Sequence, residues 1–295
     1  GLPGGLMEFF DIFLLEAVLN GLLLGGLLAL LALGLNLIFG VIDVVWICYA
    51  ELIMVGMYGI WWLHTVQGAP LWLAFVFGIA LVALLGAALH QFIIRPVLSA
   101  EPINQLLVTG GVLFFLQAAA TVTFGVEFRN IGIRLPGVSV GEINLSLARL
   151  IAFGVALAAI LATWLFLTRT YMGTAIRAIS QDRAIMPLMG VNAGRIYLLT
   201  SALGGGLAGL AACLLVLQYD IHPAIGLSFG PITFMICVLG GLGNLIGGFL
   251  AAFVFAQFIS VGGFVFQLEW GYVLAFLFFI VMMFWKPEGL FARRR

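Results

Sequence analysis

Runs of about twenty apolar residues constrain this chain more than any other feature. A helix rises 1.5 Å per residue, so about 20 residues cross the ~30 Å hydrocarbon core of a bilayer. Such runs fall at 12–39, 44–63, 71–94, 103–124, 148–168, 196–217, 231–261 and 270–285. In lipid every backbone polar group must find a partner within the protein, and a helix supplies all of them locally. The runs therefore predict an all-α fold: a polytopic transmembrane helical bundle of about eight membrane segments, forming a single domain over 1–295. Apolar residues make up 64% of the chain and charged residues 8%, against about 25% charged in an ordinary soluble domain. A soluble fold of this length has no interior large enough for that much apolar surface. The formal net charge is zero, which excludes the basic footprint of a nucleic-acid binder.

The placement of charge predicts orientation, because cytoplasmic loops are enriched in Lys and Arg. Three regions qualify: Arg95; residues 169–195, with Arg169, Arg177, Arg183 and Arg195; and 286–295, with Lys286 and Arg293 to Arg295. The mixed-sign segment 125–147 then lies outside, as does the acidic head Glu8, Asp11 and Glu16. Three simple crossings after Arg195 would leave the C-terminus outside, against the rule. Breaking 231–261 at its glycine cluster, or making part of it re-entrant, restores agreement. Gly240, Gly241, Gly243 and Asn244 are thus expected near a translocation path or at a tight helix crossing, and both readings stay open.

Residues 172–195 form the longest charged stretch that is not itself a membrane run. Met172, Ile176, Ile179 and Met186 fall on one helical face, with Arg177, Gln181 and Arg183 elsewhere. Asp182 is placed to cap a second short helix and Gly190 to end it. The stretch reads as a cytoplasmic elbow touching a partner protein, or as an interfacial helix lying on lipid headgroups.

Within or beside the apolar runs stand Asn20, Asn36, Asp43, Glu51, Gln117, Thr121, Thr233 and Gln257. An intramembrane carboxylate is costly and normally faces the bundle interior. Glu51 is suited to binding a cationic group, carrying a proton, or holding a helix pair together. No paired-carboxylate, Ser/His/Asp or phosphate-cradling motif is present, and Cys48, Cys213 and Cys237 fit no metal or redox spacing. The chain is expected to be no enzyme and to bind no cofactor of its own.

Several segments resemble one family in order along most of the chain. They are LNGLLLGGLLALLALGLNLIFGV at 19–41, IRPV at 94–97, MGTAIRAISQDRAIMPLMGVN at 172–192, TSALGGGLAGLAACL at 200–214, VLGGLGNLIGGFLAA at 238–252 and KPEGLF at 286–291. The set looks like the permease subunits of bacterial branched-chain amino acid ABC transporters, the LivH/LivM family, and is nearer LivH. The resemblance implies an inner-membrane importer subunit that partners a homologous LivM-like permease, two LivG/LivF-like cytoplasmic ATPases holding the ATP, and a periplasmic solute-binding protein. It implies that the elbow docks on the ATPase through Gly173, Arg177, Ala178, Asp182, Arg183, Leu188 and Gly190. Trp46, Tyr49 and Glu51, with the glycine cluster, are the candidate translocation-path residues. The family's Asn-Phe-Ala-His-Gly-Glu run stands here as Trp46 to Glu51, with only Glu51 retained. Met186 and Pro187 also depart from the usual elbow. The solute stays open among branched-chain amino acids and related small amino acids, amides and carboxylates. A secondary transporter using Glu51 is the alternative, followed by a channel-type pore.

Overall fold

The computed structural model describes residues 3–291. The expected basic cluster Arg293 to Arg295 lies outside the described residues. Ten α-helices follow in order: α1 (Pro3–Ile42), α2 (Tyr49–Trp61), α3 (Leu71–Leu89), α4 (Pro102–Phe124), α5 (Leu147–Arg169), α6 (Tyr171–Gln181), α7 (Ala193–Val216), α8 (Ile225–Gly240), α9 (Leu245–Val265) and α10 (Leu268–Trp285). Among the described residues, seven are long and apolar enough to cross a membrane: α1, α3, α4, α5, α7, α9 and α10. α2 has 13 residues and continues as a π turn over Trp62–Val66, and α8 has only 16.

The membrane bundle is all-α, and the strands lie outside its helices. The polar segment 125–147 contains an antiparallel hairpin, β1 (Gly137–Val140) and β2 (Ile143–Ser146), with Val138 opposite Leu145. Gly141, at φ 65°, supplies the left-handed residue of its two-residue turn. This segment is outside the apolar runs, so no bilayer forbids a strand pair there.

α1 is the central post. It packs on α9, α7, α5 and α8, and the interior half of it is fully buried. Small residues permit the approach: Gly25 lies against Phe253 of α9, and Gly26 against Phe153 of α5. Lipid offers no hydrophobic drive for helices to associate, so close van der Waals fit must supply it. By contrast α3, α4, α5 and α10 leave most of their surface uncovered.

The basic loops gather at one end of the bundle. Asp43, after α1, pairs with Arg183 of the elbow. Gly40 touches Gly243 in the α8–α9 turn, and Leu290 N–H donates to the Leu239 carbonyl at 2.7 Å. His90, near Arg95, stacks edge-on to Tyr197 at the start of α7. At the opposite end Arg129 and Ile221 form an antiparallel bridge, and Phe128 packs on His222 at 4.7 Å. The chain turns at 241–244 on the basic end and again at 266–267, so 231–261 is two helices rather than one run.

Candidate functional site

The second apolar run is broken where the sequence reads as continuous. After Ile42 the chain leaves helix, Asp43 takes φ 64°, and helix resumes only at Tyr49. Hydropathy cannot detect this, because Val44, Val45, Trp46 and Ile47 are as apolar as any helical stretch. Irregular backbone at membrane depth survives only where protein satisfies it. Here Thr109 Oγ1 of α4 donates to the Val45 carbonyl at 3.2 Å, and Tyr49 N–H donates to the Trp46 carbonyl at 3.1 Å. Trp46 and Tyr49 are both buried, and the Tyr49 hydroxyl lies against Gly34 of α1.

The break delivers Glu51 into the first turn of α2, where it is 1% exposed. Gln117 Nε2 of α4 donates to Glu51 Oε1 at 3.3 Å, whereas Oε2 has no hydrogen-bond partner. The carboxylate rests on Gly226, the second residue of α8, so tightly that any Cβ there would collide with it. No side chain caps α8, whose N-cap position is Ala224. Glu51 thus stands beside the first turns of two helices, α2 and α8, with one oxygen bonded to Gln117 and the other buried without a partner.

A cavity of about 350 Å³ opens on the other side of α8's first turn. Its floor is apolar, from Leu24 and Leu28 of α1, Phe229 and Ile232 of α8 and Ile259 of α9. Its rim carries Tyr219, Asp220, His222 and Ser228, with Phe128 and Tyr272 beside them. Burial holds the His222 imidazolium pKa below its ordinary 6.5, with the Asp220 carboxylate acting weakly the other way. Burial likewise raises the Tyr219 phenol, opposed by the nearby Arg149 guanidinium.

The glycine cluster is elsewhere. Gly243, at φ 82°, forms the α8–α9 turn with its Cα against Gly40. Asn36, buried in α1, accepts from Gly243 N–H at 3.2 Å and donates to the Asn244 carbonyl at 3.4 Å. Asn244 caps α9 by accepting from Gly247 N–H at 3.1 Å and donates to the Phe291 carbonyl at 2.8 Å. Gly240 meets the backbone of Gly247, and Gly241 meets Gly289. These contacts are those of a tight helix crossing. Fourteen residues of α8, about 21 Å, separate Gly226 from Gly240, so the two groups of expected path residues form two centres. Nothing in the sequence gives Asn36 a role, because its target lies 207 positions away.

The elbow has the expected form: α6, then a 3-10 turn over Met186–Met189, ended by Gly190 at φ 83°. Ile176 and Ile179 are buried on its inner face. Several of its polar side chains bond back onto the chain while staying exposed. Arg177 Nε donates to the Leu167 carbonyl at 2.7 Å. Asp182 Oδ1 accepts from Ala184 and Ile185 N–H at 3.0 and 3.1 Å. Arg183 Nη1 lies 3.0 Å from Asp43 Oδ2. Gly173 packs on the Phe166 backbone, and Ala178 is half-buried. Exposed alongside Arg177, Gln181 and Asp182 are the apolar Ile185, Leu188 and Met189, with Leu188 84% exposed.

The family model described as branched-chain amino acid transport system / permease component matches residues 17–283. The chain belongs to that family. It is a membrane-spanning permease subunit of an ABC importer and not the ATPase. It is 29% identical over 294 residues to the high-affinity branched-chain amino acid transport system permease protein BraD of Pseudomonas aeruginosa, covering 95% of this chain and 96% of that one. It is 26% identical over 307 residues to LivH of Escherichia coli, covering 96% of each. Among solved structures, PsaBC from Streptococcus pneumoniae in complex with Fab superposes with a TM-score of 0.52 at 16% identity over 91% of each chain, a likeness of fold.

Proposed function

We propose that this permease imports branched-chain amino acids or closely related small solutes across the bacterial inner membrane. It works beside a LivM-like permease, with two LivG/LivF-like ATPases below and a periplasmic binding protein above. The basic end, with the elbow and the C-terminal segment, faces the cytoplasm. α8 is the short crossing that makes the last third of the chain consistent with the charge rule.

The observation that carries this reading, beyond family membership, is the Arg183–Asp43 pair joining the elbow to the broken stretch that positions Glu51. ATP closes the ATPases and pushes the elbow. Arg183 passes the push to Asp43, and residues 44–48 pass it to Glu51 and α8. A nucleotide shifts the bundle only through a difference in affinity between its two arrangements. The exposed Ile185, Leu188 and Met189 supply the docking surface, and Gly173, Arg177, Ala178, Asp182 and Gly190 hold its shape.

The test is uptake of radiolabelled leucine into proteoliposomes holding the complete importer and binding protein. Uptake is expected only with ATP on the elbow side. Uptake by this chain alone in a proton gradient would overturn the reading in favour of a secondary transporter acting through Glu51. Fast flux indifferent to ATP would make it a pore.

A further inference from the structure

We propose that α4 is a splint for the broken stretch. Thr109 and Gln117 are positioning residues that clamp Val45, within the break, and Glu51, just after it, to one rigid helix. A push arriving at Asp43 then reaches Glu51 and α8 instead of being absorbed on the way. The inference rests on the elbow-to-Glu51 route of the importer reading and names the residues that stiffen that route.

The chain between the two clamped points is compliant by itself. Residues 44–48 lie outside any helix. Five such residues can span anything up to about 17 Å, so a push on one end need not move the other. α4 is a continuous helix of 23 residues, and its rise of about 1.5 Å per residue is fixed by its own hydrogen bonds. Thr109 Oγ1 reaches the Val45 carbonyl at 3.2 Å, and Gln117 Nε2 donates to Glu51 Oε1 at 3.3 Å. The two side chains stand about 12 Å apart along the helix. The Thr109 proton is shared with the Gln105 and Leu106 carbonyls of its own helix, at 3.2 and 3.1 Å. Thr109 is fully buried, so water does not compete for it.

Beyond the clamp α2 and α4 stay in step. Tyr58 is two turns past Glu51 and Phe124 two turns past Gln117, and their rings stack at 4.3 Å. The two helices therefore run parallel. α4 has little other packing to account for: most of its surface is uncovered, and its buried residues are Gln105, Thr109, Val112 and Ala120. Gln105 ties its foot elsewhere, donating through Nε2 to the Val97 and Leu98 carbonyls at 3.0 and 3.2 Å. That tether has the same chemistry on the same helix face but does not touch the break, which makes Gln105 a control.

The experiment uses the complete importer with its binding protein in proteoliposomes and radiolabelled leucine as the probe. Leucine taken up per ATP hydrolysed is measured beside hydrogen exchange at amides 44–50. Gln117→Leu and Thr109→Val are each expected to cut uptake per ATP at least about fivefold, the low end of linked couplings. Each should speed exchange at 44–50 about threefold, the worth of one interhelical hydrogen bond in a membrane. Thr109→Ser, which keeps the hydroxyl, should hold both at the parent values. Gln105→Leu should lower thermal stability and leave uptake per ATP unchanged. The proposal is overturned if Gln105→Leu uncouples as strongly as the other two, since α4 would then serve folding alone. Unchanged exchange at 44–50 overturns it equally. Asp43→Asn separates the splint from the route. If Asp43→Asn keeps uptake per ATP while the two α4 variants lose it, the elbow route fails and the splint stands. If Asp43→Asn uncouples and the α4 variants do not, the splint fails and the route stands. If Gln117→Leu does not assemble, Gln117→Asn, one methylene short of Glu51, serves under the same outcomes.

Discussion

Arg183 and Asp43 lie 140 positions apart in sequence and 3.0 Å apart in space, and their ion pair ties the elbow to the foot of the broken stretch that ends at Glu51. Both side chains are partly exposed, at 36% and 58%, so the pair adds little to stability, about 0–1 kcal/mol. Its value lies in transmission. Asp43→Asn, which keeps a residue tolerant of φ 64°, and Arg183→Gln are each expected to leave assembly intact. Each should lower ATP-driven uptake about 5- to 100-fold, the span of a 1–3 kcal/mol coupling. The double variant should fall no further than the worse single one, since both remove one contact. Additive losses would dissolve the link.

The outward face of the elbow predicts a different loss. Leu188→Asp and Met189→Asp place a charge on exposed apolar side chains that make no structural contact of note. Thermal stability of the isolated permease should stay within about 0.5 kcal/mol. Affinity for the ATPases should drop by about 2 kcal/mol or more, roughly 30-fold, if these side chains are interface anchors. Titration of the ATPase pair against permease in nanodiscs measures it.

Gly226 faces the Glu51 carboxylate with no room for a Cβ. Gly226→Ala is expected to cost about 1–3 kcal/mol through overpacking, seen as a lower unfolding midpoint in detergent. Glu51→Ala in the same chain should recover most of that loss by vacating the space. No recovery would mean that the clash lies with the backbone instead.

Asn36→Ala strands the Gly243 N–H and the Asn244 carbonyl in the α8–α9 turn. Each unsatisfied group costs about 1–3 kcal/mol when buried. Asn36→Asp retains the acceptor for Gly243 and should fall between the two. Hydrogen exchange at 241–248 localises the effect.

Acid should loosen the rim of the cavity. His222 has a folded pKa below its ordinary value, chiefly through burial. The unfolded loop therefore binds more protons in the window just below pH 6.5, so its order is present above that pH and lost as pH falls through the window. Exchange at 219–224, corrected for intrinsic pH dependence, is expected to rise on acidification. His222→Gln should flatten the profile. An identical profile in both proteins removes His222 from the effect.

The sequence by itself determined the bundle, the charged elbow and which end holds the basic loops, because a bilayer imposes length, polarity and orientation locally, run by run. Gly190 as a stop was legible for the same reason, since it acts on backbone groups within a few residues; Asp182 instead holds the turn 183–185, and the second short helix has Ile185 at its N-cap with no side-chain cap. Tertiary structure alone decided the rest. It kept residues 44–48 of the second run out of helix, and it set Glu51 on Gly226, 175 positions away, through a contact that no spacing encodes. It also bonded Arg177 to the Leu167 carbonyl and Arg183 to Asp43, and left Leu188 uncovered. Apolar residues in lipid carry no signal of which face is buried, so hydropathy finds the helices and only their packing assigns the partners.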